Sequence, residues 1–406
     1  MTEQDARVTV LTCGSAVLPD RIASPVALVI ESGRIVDVVT GPRAMGPSER
    51  LVDLSEHIAV PGFIDVHVHG VDGADTLDGG GSVARIAAAL PRFGVTAFAP
   101  TSVACSPAML GAFLVEVGAL RSGVHVSSAR VLPAHLESNF LSPHYCGAQP
   151  IDALRLPRHI DPSAPYSGPD VLAVIDDHRA DVGTITLAPE LEGGLDLVRA
   201  MAAAGVRVSL GHSGATFEQA QEAFAAGARQ VTHLFNRMTP LQSRDPGLTG
   251  AALANDDVAV ELIGDGRHVH PAVMRMAIAA KSASRVMVIT DGTAGSGLPR
   301  GSKASLAGRT ITVEDVARLE DGTMAGSVCT MDRVFACLVG ECGISLVDAG
   351  LMCATTPARE LGLIGLGVIA PGAIADLTIL NSRLEVVQTW IGGRPVYEAP
   401  DFSPAA

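Results

Sequence analysis

The chain has 406 residues, 48% hydrophobic and 18% charged, which supports a large folded core and excludes a disordered chain. A formal net charge of -14 excludes nucleic acid as the expected partner and obliges any anionic ligand to find a local basic pocket. Seven cysteines without a CxxC pair fit reduced thiols in a cytoplasmic protein, the opening MTEQDARVTVLTCG lacks the pattern of a signal peptide, and no run of ~20 apolar residues suggests a membrane span.

Up to residue 60 the chain reads as short strands, VTVLTCG, PVALVIESGRIVDVV and LVDLSEHIAV, with Ser32-Gly33 as a hairpin turn. From residue 61 the texture becomes strand then Ala/Leu-rich helix, repeatedly. The expected strands are 62–68, 95–102, 129–137, 183–190, 206–212, 229–235, 258–266 and 285–292. Helical patterns lie between most of them, and Gly94, Gly205 and Gly227 are placed to end helices. Eight buried parallel strands alternating with helices predict an α/β fold, a (β/α)8 TIM-like barrel, rather than an open sheet. Residues 309–326 read as a hairpin with an Asp-Gly turn, and the tail returns to short strands. The tail is either a separate domain or the other half of a small β-sandwich built from both termini. The second arrangement is preferred, with residues 1–60 and 365–406 in that β domain and 61–364 in the barrel.

Polar residues recur at the ends of these strands. His67 and His69 share one face of the first, and His135 and Glu137 end the third. Glu190 lies at the fourth, His212 at the fifth and His233 at the sixth; His268 follows the seventh and Asp291 ends the eighth. In a barrel those ends converge on one mouth. Glu137, His212 and His233 offer one carboxylate and two imidazoles with a fourth position open, the ligand set of catalytic zinc, which lowers the pKa of water to near ~7. Asp291 suits a general base, and His268 is either a carbonyl-polarising group or a solvated loop histidine. Glu190 reads as a loop tie more than a ligand.

The stretches PGFIDVHVHG, HLE at 135–137, TLAPE, VSLGHSGAT, THLFN, DGRHVHP, VITDG, AGSVCTMD and TPARELGLIGLGVIAPGAIADLTIL resemble the N-acetylglucosamine-6-phosphate deacetylase family of the amidohydrolase superfamily. The resemblance implies hydrolysis of the acetyl amide of an amino-sugar phosphate in a cytoplasmic homodimer, with a divalent cation, zinc first, on Glu137, His212 and His233. It implies a second ion in some members at His67 and His69, Asp291 as base, and His268 orienting the acetyl carbonyl. Ala148, Gln149, Asn236, Arg237, Arg244, Ala325, Gly326 and Ser327 fall at positions around the substrate.

The chain departs from the family at Ser138-Asn139, where Gly-Pro is usual, at Gln149, usually His, and at Arg237, usually a small residue. Arg237 either joins Arg244 in a phosphate pocket or is a surface arginine. These departures leave open an N-acetylgalactosamine 6-phosphate or another N-acyl amino sugar as substrate, and a non-catalytic sugar-phosphate binder as the competing class. A cyclic-amide hydrolase with a carboxylated lysine on the fourth strand is disfavoured, because the only lysines are Lys281 and Lys303.

Overall fold

Phe63–Val68 (β1) opens a run of eight parallel strands in the computed structural model, which describes residues 8–41, 43–123 and 127–402. It is followed by Val95–Ser102 (β2), Ala134–Glu137 (β3), Val182–Leu187 (β4), Arg207–Leu210 (β5), Gln230–Val231 (β6), Ala259–Ile263 (β7) and Val286–Ile289 (β8). Neighbours pair in that order. The sheet closes where Asp291 N–H donates to the His67 carbonyl at 3.1 Å and His69 N–H to the Gly292 carbonyl at 2.8 Å. Almost every strand residue is buried, as expected when side chains point alternately into the barrel and against the helices.

A helix follows each strand: Ser82–Ala89 (α1), Pro107–Ser122 (α2), Gly168–Asp177 (α3), Gly194–Ala203 (α4), Phe217–Ala225 (α5), Gly247–Ala254 (α6), Pro271–Lys281 (α7) and Met331–Gly340 (α8). Local sequence starts them. Ser106 caps α2 ahead of Pro107, and Ser167/Asp170 and Thr216/Gln219 form reciprocal capping boxes on α3 and α5.

Val8–Val17, Val26–Glu31, Arg34–Thr40 and Glu49–Pro61 join Leu377–Leu380, Val386–Ile391 and Arg394–Glu398 in one sheet beside the barrel. Its core gathers Leu11, Leu28, Leu54, Ile379 and Trp390. Glu31 pairs with Arg34 across Ser32-Gly33, both at positive φ (51° and 79°), the backbone of a two-residue hairpin turn. Residues 1–7, on which the reading of the N-terminus partly rests, lie outside the described residues. No helix of the described residues is long and apolar enough to cross a membrane.

The sheet is fastened to the barrel by Arg130, whose guanidinium donates to the buried Asp376 carboxylate at 2.9 and 3.1 Å. Asp376 also accepts the Gly392 N–H at 2.7 Å. Arg130→Ala leaves a buried carboxylate with one donor, so unfolding free energy is expected to fall by about 2–3 kcal/mol, read by urea denaturation. An effect under about 0.5 kcal/mol would mean that the pair is ornamental.

Two expectations are revised. The seven-residue strand 229–235 shrinks to Gln230–Val231, because the chain turns through positive φ at His233 (30°), Phe235 (77°) and Arg237 (51°). The single hairpin after β8 is a three-stranded meander, Lys303–Leu306, Arg309–Val313 and Ala317–Leu319. Its first turn is Ala307-Gly308 (φ 48° and 78°); the anticipated Asp321-Gly322 turn follows the third strand. That meander leans over the barrel mouth.

Candidate metal centre and active site

The carboxyl ends of the strands deliver six titratable side chains to one place. Glu137 ends β3, and its Oε1 lies 3.1 Å from His212 Nε2 and 2.9 Å from His233 Nε2, which are 3.1 Å apart. A tetrahedron with ligand bonds of ~2.0–2.1 Å has edges of about 3.3 Å, so the three atoms are spaced close to three corners around one ion. His212 Nδ1 faces the Tyr145 carbonyl at 2.8 Å, which places a proton on Nδ1. With Nδ1 so engaged, Nε2 is the ring atom facing Glu137 Oε1, and positive charge between them, from a cation or from a second ring proton, holds the two together. The donor set therefore fits a divalent metal.

A second set adjoins it. His67 Nε2 and His69 Nε2 are 3.2 Å apart, and each is 3.4 Å from Asp291 Oδ1. Glu137 reaches this set too, at 3.7 Å from His67 and 3.5 Å from His69. One carboxylate thus faces both clusters. All six residues are buried. Burial alone raises a carboxyl pKa, but for Glu137 the imidazoles of His212 and His67 outweigh it and hold the group well below its usual value. Asp291 is likewise held low against burial by His67 and His69, so it is ionised at neutral pH.

Backbone strain aims these side chains. His212, His233 and Asp291 take φ of 47°, 30° and 49°, in the left-handed region. Such residues cost about 1–3 kcal/mol each and persist where surrounding structure holds them. Around Asp291 that structure is visible: its carbonyl accepts the Ser327 N–H at 2.8 Å, and a Cβ on Gly326 (φ 91°) would come within 2.9 Å of the same oxygen.

The cavity above the clusters is lined by His69, Glu137, His212, His233 and Asp291, and further out by Ala148, Gln149, Asn236, Arg237, His268, Ala325 and Gly326. Most of the residues named from sequence are therefore brought together. His268 Nδ1 lies 2.6 Å from Asp265 Oδ2. Burial lowers the imidazole pKa, and the Asp265 carboxylate more than reverses this, leaving it raised. Gln149 spans the site: its Oε1 accepts the Ala104 N–H at 2.8 Å and its amide nitrogen donates to Glu137. Arg237 is the only lysine or arginine among the lining residues.

Two named residues stay apart. Ser327 is buried with its hydroxyl on the Thr290 carbonyl at 2.5 Å, and Arg244 stands exposed outside the cavity of this chain. The departures at Ser138 and Asn139 point into the protein, where Ser138 Oγ donates to Thr186 O at 2.7 Å and Asn139 Nδ2 to Cys105 O and Ala153 O at 2.8 and 2.7 Å. Glu190 ties a loop, accepting from Ser213 Oγ at 2.7 Å and Gly214 N at 2.5 Å. His135 is a core residue. Its ring contacts Thr186 Oγ1 at 2.7 Å and Val66 O at 3.2 Å, and burial brings its pKa down to about 4. Sequence reasoning missed Asp265 and Glu261; the first had a signal in its place three residues before His268.

A closed parallel barrel with paired His/carboxylate clusters at its mouth defines a class of hydrolytic enzymes, and residues 58–396 match the amidohydrolase family, to which this chain belongs. Within that family its similarity is to hexosamine-phosphate deacetylases. It is 36% identical to an N-acetylgalactosamine-6-phosphate deacetylase of Escherichia coli O157:H7, covering 82% of this chain and 86% of that protein. It is 32% identical to the N-acetylglucosamine-6-phosphate deacetylase of Bacillus subtilis (strain 168), covering 89% and 90%. A solved mutant of N-acetyl-D-glucosamine-6-phosphate deacetylase from Mycobacterium smegmatis, in complex with N-acetyl-D-glucosamine-6-phosphate, superposes with a TM-score of 0.86 at 32% identity, covering 96% and 99%.

Proposed function

We propose that this enzyme hydrolyses the acetyl amide of an amino-sugar 6-phosphate, N-acetylglucosamine 6-phosphate first, giving acetate and the free amine. The observation that carries the reading is the convergence of Glu137, His212 and His233 in one cavity with the ionised Asp291. Zinc held by those three ligands, with a second ion at His67, His69 and Asp291, would supply Lewis acidity and lower the pKa of water. Asp291 takes the proton of the attacking water and returns it to the departing nitrogen. His268, with Asp265 on its Nδ1, presents Nε2–H to the carbonyl oxygen as negative charge develops there. Ala148, Gln149, Asn236, Ala325 and Gly326 shape the sugar end, and Arg237 offers the cavity's one guanidinium to the phosphate. Seven free cysteines accord with a reducing, cytoplasmic setting.

The galacto epimer is the second reading, favoured by the 36% identity to an N-acetylgalactosamine-6-phosphate deacetylase. Acetate release with zinc supplied separates the cases. Phosphorylated N-acetylglucosamine and N-acetylgalactosamine are compared with their unphosphorylated forms. The 6-phosphate is expected to raise kcat/KM by about 10–100-fold, the worth of a charge-assisted contact. The faster epimer names the sugar. No acetate from any of the four would leave a sugar-phosphate binder.

A further inference from the structure

Glu261 sits in the middle of β7 with no exposed surface, one layer below the cavity. Its Oε2 is 2.9 Å from His67 Nδ1 and 3.4 Å from the His233 backbone nitrogen; its Oε1 accepts Gln230 Nε2 at 2.6 Å. Gln230 is fixed in turn. Its Oε1 takes Arg207 Nε at 2.6 Å, and Arg207 pairs with Glu360 at 2.7 Å. The carboxylate therefore cannot turn away from His67. Because an ionised carboxylate only accepts, His67 must carry a proton on Nδ1, which leaves Nε2, facing His69 and Asp291, as the ring atom that would ligate a cation.

The other imidazoles at the mouth are held differently. His212 leans on a neutral carbonyl, whereas the buried Nδ1 atoms of His69 and His233 have no hydrogen-bond partner among the described residues. A negative charge hydrogen-bonded directly behind one ligand raises the basicity of that ligand most; the other cluster meets the same carboxylate only at the His233 backbone N–H, 3.4 Å away. We infer that Glu261 is a positioning residue that sets the cation affinity of the His67/His69/Asp291 cluster while leaving the Glu137/His212/His233 cluster to its own ligands. It acts through His67 and touches neither substrate nor reacting atoms. The inference rests on the cation chemistry proposed above and is read without turnover.

Zinc is titrated into the full-length protein against a chromophoric chelator, with bound zinc counted by mass spectrometry. The binding step that His69→Asn abolishes identifies the cluster in question. Glu261→Gln is expected to weaken that step by about 10–100-fold and to shift the other by less than threefold. The single variant sets two amide nitrogens against each other at Gln230, so Glu261→Gln/Gln230→Glu serves as partner. The exchange restores every hydrogen bond but keeps the charge off His67, and the same step should stay weakened. Wild-type affinity in either folded variant, or equal weakening of both steps, overturns the inference. A wild-type protein that takes up a single zinc overturns it too, yet leaves the deacetylase reading intact if that protein releases acetate.

Discussion

Replacing Asp291 by asparagine is expected to lower kcat by about 10²–10⁴-fold with KM changed by less than threefold. The substitution is close to isosteric, and the main chain of residue 291 stays anchored by its bonds to the His67 carbonyl and the Ser327 N–H. What disappears is an ionised acceptor for a proton, which an amide cannot replace. Zinc on the Glu137 cluster should remain, since Asp291 belongs to the neighbouring set. Steady-state kinetics beside a zinc count on the same preparation decides the matter. A kcat within threefold of wild type would remove Asp291 from the chemistry, and loss of all zinc would make the effect structural.

Glu137→Gln should do more. Glu137 is the one group facing His212, His233, His67 and His69 at 2.9–3.7 Å, so its charge serves both clusters. The amide keeps the volume and one acceptor but halves the oxygen ligands and removes the charge. Lewis-acid stabilisation is worth several kcal/mol, so kcat/KM is expected to fall by at least about 10³-fold, with the zinc on this cluster lost after dialysis. Retained zinc with kcat/KM within tenfold of wild type would sink the assignment. The fold itself should survive, because burying a neutral amide here is less demanding than burying the carboxylate.

How much of this was legible in the chain can be argued residue by residue. The barrel was readable because buried parallel strands are continuously apolar and alternate with helical patterns, several of which end on glycine. The mouth was readable because strand ends are where such a barrel places polar groups. Positions that depend on backbone turning were harder. His233 lies past a strand of only two residues and points inward through φ of 30°, which no periodicity announces. Glu261 is the single charged residue of the apolar strand Ala259–Ile263. Its partner His67 is 194 positions away, a separation that only the closed sheet abolishes. Ser327 and Arg244 show the converse, since motif position could not tell a side chain facing the cavity from one turned into the protein or out to solvent.

The sheet beside the barrel has a consequence for the order in which the molecule is completed. Glu49–Pro61 is paired on one side by Val8–Val17, close in sequence, and on the other by Leu377–Leu380, which leaves the ribosome only after the whole barrel. At ~5–20 residues per second that edge waits roughly tens of seconds for its partner. Throughout that interval the apolar end of the strand, Ile58–Pro61, which the late strand covers, is open to other nascent chains, and chaperone demand during expression should be greatest there.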